Sequence, residues 1–172
     1  MRKTIFILFP LLFLVFMPAL QSAGLCAEPE GREKAEALLK EADALFSEGK
    51  MDKAVETVRE AVKVDPAHPD AYDQLGHMLM KAGKLDEAIG AFDSALKINP
   101  RSRTAKTGKG LALLKKGDAK GAEAVLKEAL TLNPYPSATH YALGLVYEQT
   151  GDYAKAIFHF KEGIRTFKSG KK

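Results

Sequence analysis

Three residue types recur along this chain at one fixed interval. Gly49, Gly83, Gly117 and Gly151 stand 34 residues apart, as do Ala54, Ala88, Ala122 and Ala156, and Pro66, Pro100 and Pro134 keep the same step. An interval of this size marks stacked copies of one supersecondary unit, because a unit that small cannot bury its apolar face alone and must lean on a neighbour. The phrase MDKAVETVREAVKVDP at 51–66 returns as LDEAIGAFDSALKINP at 85–100 for that reason.

Within each half-unit the apolar residues follow helical spacing. Leu85, Ala88, Ile89, Phe92, Ala95 and Leu96 fall on one stripe of a helix. Gly49, Gly83, Gly117 and Gly151 then lie between two helices, where a left-handed C-cap is wanted, and Asp52, Asp86, Asp118 and Asp152 suit the helix start that follows. The prolines close each second helix, since Asp65, Asn99 and Asn133 before them are pushed out of the helical region. Gly76, Gly110 and Gly144 fall inside helices, where glycine costs about 1 kcal/mol relative to alanine. Close approach of the paired helix through Ala88, Ala122 and Ala156 is the expected compensation.

The residues inside each unit resemble the tetratricopeptide repeat. The second unit carries Tyr72, Leu75, Gly76, Leu79, Ala88, Phe92, Ala95 and Pro100; the fourth carries His140, Leu143, Gly144, Tyr147, Ala156, Phe160 and Gly163 without a closing proline. In the first the set is Leu38, Glu41, Ala42, Leu45, Ala54, Val58, Ala61 and Pro66, and in the third Lys106, Lys109, Gly110, Leu113, Ala122, Leu126, Ala129 and Pro134. The resemblance implies an all-α, right-handed superhelical solenoid of four antiparallel helix hairpins over residues 35–172, with repeats at 35–68, 69–102, 103–136 and 137–170 and a short linker at 28–34.

It also implies a concave groove, lined by the first helices, that binds a protein or peptide segment. By register the groove presents Leu39, Asp43 and Phe46; Asp73, His77 and Met80; Thr107, Leu111 and Leu114; and Tyr141, Leu145 and Gln149. These residues either form a peptide groove or serve packing alone. The basic and amide clamp that some family members use for acidic C-terminal tails is not matched there. Lys106 and Lys109 stand where the pattern wants apolar residues, and with Gly108, Gly110 and Gly121 they make the third unit the expected soft point. That unit holds seven basic against three acidic side chains, whereas the first holds five against eight. Such asymmetry either attracts acidic peptides or lipid headgroups or is a solvated surface.

The last helix, read as Tyr153 to Phe167, carries Ile157, Phe160, Ile164 and Phe167 on one face, with KSGKK after it. A solenoid end normally wears a polar cap. This face is therefore a docking surface for a partner or for a second copy in a homodimer, or else the stems of Lys161, Arg165 and Lys168 shield it.

Residues 1–27 differ from the rest. Arg2 and Lys3 precede 17 largely apolar residues, Thr4 to Leu20, and Ser22, Ala23, Gly24 and Ala27 follow, which reads as a secretory signal peptide cut after Gly24 or Ala27. The exported, periplasmic protein is the leading expectation. The alternatives are a membrane anchor left uncut, since roughly 20 residues span a bilayer, and lipid on Cys26, although Leu25 stands where a lipid-attachment box wants a small residue. With one cysteine the chain forms no internal disulfide and no thiol metal site. Residues 28–172 hold 24 basic and 22 acidic side chains, too balanced for a nucleic-acid partner. No catalytic residues, metal or cofactor are expected: TAKTGKG at 104–110 lacks the phosphate-loop spacing, His68, His77, His140 and His159 lack paired ligand spacing, and no Ser/His/Asp set appears. The leading function is a noncatalytic interaction scaffold. A membrane-held or lipidated envelope assembly factor or chaperone is the second reading, and a small-ligand carrier around Phe46, Met80 and Tyr141 the third.

Overall fold

The computed structural model describes residues 29–132 and 136–169. The expected signal peptide at 1–27 and its expected cleavage sites, with the apolar run to Leu20 and Cys26, lie outside the described residues. Among those described, eight helices follow one another: α1 Pro29–Ser47, α2 Met51–Val64, α3 Pro69–Lys81, α4 Leu85–Ile98, α5 Arg103–Lys116, α6 Ala119–Thr131, α7 Ser137–Gln149 and α8 Tyr153–Ser169. They pair as α1–α2, α3–α4, α5–α6 and α7–α8, and each pair rests on the next. The chain is an all-α solenoid of antiparallel hairpins.

The turns within the hairpins are made by backbone alone. Gly49, Gly83, Gly117 and Gly151 have φ of 78°, 77°, 94° and 81°, left-handed values that cost a side-chain-bearing residue roughly 1–2 kcal/mol. The residue after each of the first three glycines donates its N–H back across the turn: Lys50 to Leu45 O at 2.9 Å, Lys84 to Leu79 O at 2.9 Å and Asp118 to Leu113 O at 2.9 Å. These bonds satisfy carbonyls that a helix end leaves open. The aspartates that follow divide into two kinds. Asp118 and Asp152 cap α6 and α8, accepting from Gly121 N at 2.8 Å and Lys155 N at 3.2 Å. Asp52 and Asp86 sit one residue inside their helices, where they act through the helix dipole.

Asp65 and Asn99 leave the helical region with φ, ψ of −129°, 87° and −126°, 88°, as the prolines after them require. Their side chains accept from Ala67 N at 3.1 Å and Arg101 N at 3.2 Å. Asn133 and Pro134 lie outside the described residues.

Two expectations are corrected here. The stretch 28–34 is no linker, because α1 begins at Pro29, so residues 29–34 are helical. Proline at the first helical position, Glu30 in the first turn and Gly31 set against the Val64 carbonyl all favour an early start. The interior glycines do not face small residues. A Cβ on Gly76 would meet the Phe92 ring at 2.7 Å, on Gly110 it would meet Leu126 at 2.5 Å, and on Gly144 Phe160 at 2.4 Å. Each glycine is a notch that receives a large side chain of the second helix, and Ala88, Ala122 and Ala156 are buried at other points.

The core falls into two clusters that meet at Leu111 on α5. The division has a sequence cause. Lys106 and Lys109 occupy apolar positions of the repeat and stay largely covered while reaching acids, Lys109 Nζ donating to Asp93 at 2.6 Å and Lys106 Nζ to Glu128 at 2.7 Å. A polar seam therefore crosses the third unit. TAKTGKG lies wholly within α5.

Candidate interaction surfaces

Backbones of successive first helices α1, α3, α5 and α7 approach one another, whereas those of successive second helices do not. The first helices are thus the inner wall of a curved stack. Two hollows open on it. One, of about 140 Å³, is bounded by Asp43, Phe46, Gln74, His77, Met78 and Lys81; the other, of about 370 Å³, by His77, Arg103, Thr104, Thr107, Leu111 and Thr139 among others. His77 belongs to both, and its ring meets Phe92 edge-on at 5.1 Å.

The structure sorts the residues expected in this groove. Asp43, Phe46, His77, Thr107 and Leu111 line the two hollows, and Asp73 stands one turn from His77. Leu39, Met80 and Leu114 are buried in the core clusters and are corrected to packing residues. The reason is rotation: each points between its own helix and a neighbour. Thr107 is 9% exposed and shares a hydrogen bond of 3.0 Å with Thr139, so it offers the hollow little more than a methyl edge. Leu145 is half-buried against the second cluster, Gln149 is exposed at the far end of α7, and Tyr141, 57% exposed, leaves the inner wall for the end of the stack.

Sequence reasoning missed Gln74, Thr104 and Thr139. Gln74 Nε2 donates to Leu39 O at 3.3 Å and to the Asp43 carboxylate, tying the floor of the first hollow across two units. A polar residue at an interhelical position is the signal that could have found it. Asp73 lines neither hollow and is held beneath the wall beside them. Its Oδ1 is buried and accepts no hydrogen bond, with His77 Nε2 at 3.9 Å. Burial pushes its carboxyl above the ordinary 3.8, against the opposing pull of His77 and Thr104. A buried acceptor without a donor costs roughly 1–3 kcal/mol, and such groups concentrate at sites of function.

The end of the stack is different in kind. Ser137, Ala138 and Tyr141 of α7 and Phe160, Gly163, Ile164 and Phe167 of α8 border an apolar groove of about 740 Å³. Ile157, Ile164 and Phe167 are 54%, 58% and 54% exposed, while Phe160 is half-buried under Tyr141, ring centres 5.7 Å apart.

Two histidines that looked solitary are a pair. His140 Nδ1 and His159 Nδ1 lie 2.9 Å apart, so one donates to the other, and His159 stacks on Tyr147 at 5.3 Å. Tyr147 donates in turn to Glu123 at 2.7 Å. Among the described residues no group of three or more His, Cys, Asp or Glu is placed to hold a metal ion, and no helix is long and apolar enough to cross a membrane.

Solved structures of tetratricopeptide proteins share this fold. A crystal structure of MamA superposes with a TM-score of 0.69 at 23% identity, covering 80% of each chain. TTC0263, a thermophilic TPR protein of Thermus thermophilus, gives 0.71 at 24% identity over 77% of this chain and 74% of its own. The first TPR of Spaghetti (RPAP3), bound to the HSP90 peptide SRMEEVD, gives 0.66 at 19% identity over 70% of this chain and 95% of its own. At these identities the likeness is one of fold. A search of curated protein sequences returned no match. The model of one family matches residues 29–169, all four hairpins, and the chain accordingly belongs to the family of the cytochrome c-type biogenesis protein H TPR domain.

Proposed function

We propose that this protein is a noncatalytic scaffold of c-type cytochrome biogenesis that holds an extended or helical segment of a partner polypeptide against its inner wall. Proteins of this fold generally serve protein interaction, and one neighbour of the same fold carries a peptide. The observation that carries the reading is the pair of hollows on the inner wall that meet at His77, whose exposed ring would touch a chain laid across both. The apolar side chains of Phe46 and Leu111 would cover the partner's apolar side chains.

We place the protein outside the cytoplasmic membrane, on the basic start, apolar run and small residues of 1–27. A second reading, an assembly factor held at the membrane by Thr4–Leu20 or by lipid on Cys26, rests on the same segment. The mass of the N-terminus of the protein recovered from cells separates them, a start at Leu25 or Glu28 without lipid favouring the released form.

The test of the groove uses a haem-free, unfolded c-type cytochrome polypeptide as probe, titrated by fluorescence anisotropy. His77→Glu and Phe46→Glu, both at exposed positions, should weaken binding at least tenfold, as loss of a central contact of about 1.4 kcal/mol requires. Equal binding by wild type and both variants would remove the inner wall as the binding surface.

A further inference from the structure

The end groove between α7 and α8 has three counterparts inside the chain, and each of those is filled. α3 rests on α1–α2, α5 on α3–α4 and α7 on α5–α6. The α3–α4 groove is the near copy of the open one, since Phe92, Asp93, Ala95 and Leu96 are matched in register by Phe160, Lys161, Gly163 and Ile164. In the filled copy α5 presents Ala105, Gly108, Lys109 and Ala112. The Phe92 ring lies against Gly108, both alanines are 0% exposed, and Lys109 Nζ donates to Asp93 at 2.6 Å.

The opposite end of the solenoid carries a helix of the same design. In register with those four residues α1 has Ala37, Lys40, Glu41 and Ala44, all exposed. The small residues recur at the two places where α5 goes under. The charges are exchanged on both sides: Asp93 with Lys109 within the chain becomes Lys161 with Glu41 between the ends. We propose that α1 of a second copy seats in the α7–α8 groove, head to tail, with Ala37 and Ala44 against the apolar face and Glu41 paired to Lys161. Opposite charges brought together in register fix which helix docks and how it is aligned.

One residue fits less well than its counterpart. Lys40 stands where Gly108 faces Phe92, and a Cβ at Gly108 would come within 2.5 Å of that ring. Phe160 is only half-buried and must turn aside, so the seat between copies is looser than the seats within the chain. The contact joins unlike surfaces, and nothing in it closes a ring, so copies add in a row. The inner wall stays open throughout, and this inference does not depend on what the groove binds.

The experiment is sedimentation velocity of the purified protein over a wide concentration range, with Lys161→Glu, Glu41→Lys, the double exchange and Lys40→Ala. The wild-type mass should climb with concentration without levelling at a dimer. Each single reversal should lower the association constant about tenfold, the double exchange should recover it, and Lys40→Ala should raise it. All three positions are exposed, so circular dichroism should be unchanged, which separates loss of association from loss of fold. Three results would overturn the proposal: a monomer at every concentration, a double exchange as weak as the two losses combined, or a mass that levels at two copies and ignores Glu41→Lys, which would mean an α8-to-α8 contact.

Discussion

The ring of Phe92 is held between two glycines, and that arrangement can be measured. Its side chain is 0% exposed, and a Cβ built on Gly76 or Gly108 falls 2.7 or 2.5 Å from ring carbons. Phe92→Ala should cost about 4 kcal/mol, well above the bottom of the usual range of roughly 3–5, because two bare backbones cannot collapse into the space the ring leaves. Gly108→Ala poses opposing terms. Helix propensity returns about 1 kcal/mol, while forcing a methyl against a ring with no room to retreat costs roughly 1–3 kcal/mol. The clash wins, and the single variant should be about 1 kcal/mol less stable than wild type. Together the two changes should cost less than Phe92→Ala alone, about 3 kcal/mol, since the methyl now occupies space the ring vacated and the helix gains its propensity. The coupling between the sites is then about 2 kcal/mol, well beyond the scatter of independent sites. Urea unfolding followed by circular dichroism at 222 nm reads all four stabilities at fixed temperature. A Gly108→Ala variant more stable than wild type, or strict additivity of the pair, would show that the ring is not seated between the helices.

Two further outcomes follow from buried charge. Burial holds both imidazoles of the His140–His159 pair below the ordinary 6.5, and the second is also opposed by the first. The unfolded chain takes up these protons first, so their contribution to stability is complete above about pH 6.5 and is lost as the pH falls below it. Unfolding midpoints measured from pH 8 to 5 should decline over that span, and His140→Gln should flatten the decline; a profile unchanged by the substitution would place its origin elsewhere. Asp73 behaves in the opposite sense, its carboxyl being raised by burial, so the ionised form penalises the fold at neutral pH. Asp73→Asn should therefore raise the unfolding midpoint at pH 7 and lose that advantage below pH 3.8, the ordinary value; a lowered midpoint at pH 7 would mean the carboxylate is satisfied.

The fold was legible because its signals are local and repeated. Gly83 and Gly117 announce left-handed turns by residue type and spacing, and the stripe from Leu85 to Leu96 shows its buried side without any neighbour in view. The inner wall was legible only in part. Asp43, His77 and Leu111 line hollows on the first helices, but a few tens of degrees of helix rotation turn Leu39, Met80 and Leu114 into the core. Periodicity alone does not resolve a rotation of that size. The partners of Gly76 and Gly110 were missed because an alanine and a larger residue four positions on, Phe92 after Ala88 and Leu126 after Ala122, share a face of the second helix, and only packing decides which of them enters the notch. Gln74 with Asp43 and His140 with His159 were hidden for a plainer reason: their partners are distant in the chain, and no local pattern couples them.

The four turn glycines reach further than the corners they make. A bend set by one left-handed residue and a returning N–H asks nothing of the side chains on either arm. The interior of one hairpin can therefore drift, as it has from phenylalanine at 92 to leucine at 126, while its angle of departure stays fixed. A hairpin added or removed whole would leave the bends of the others as they are.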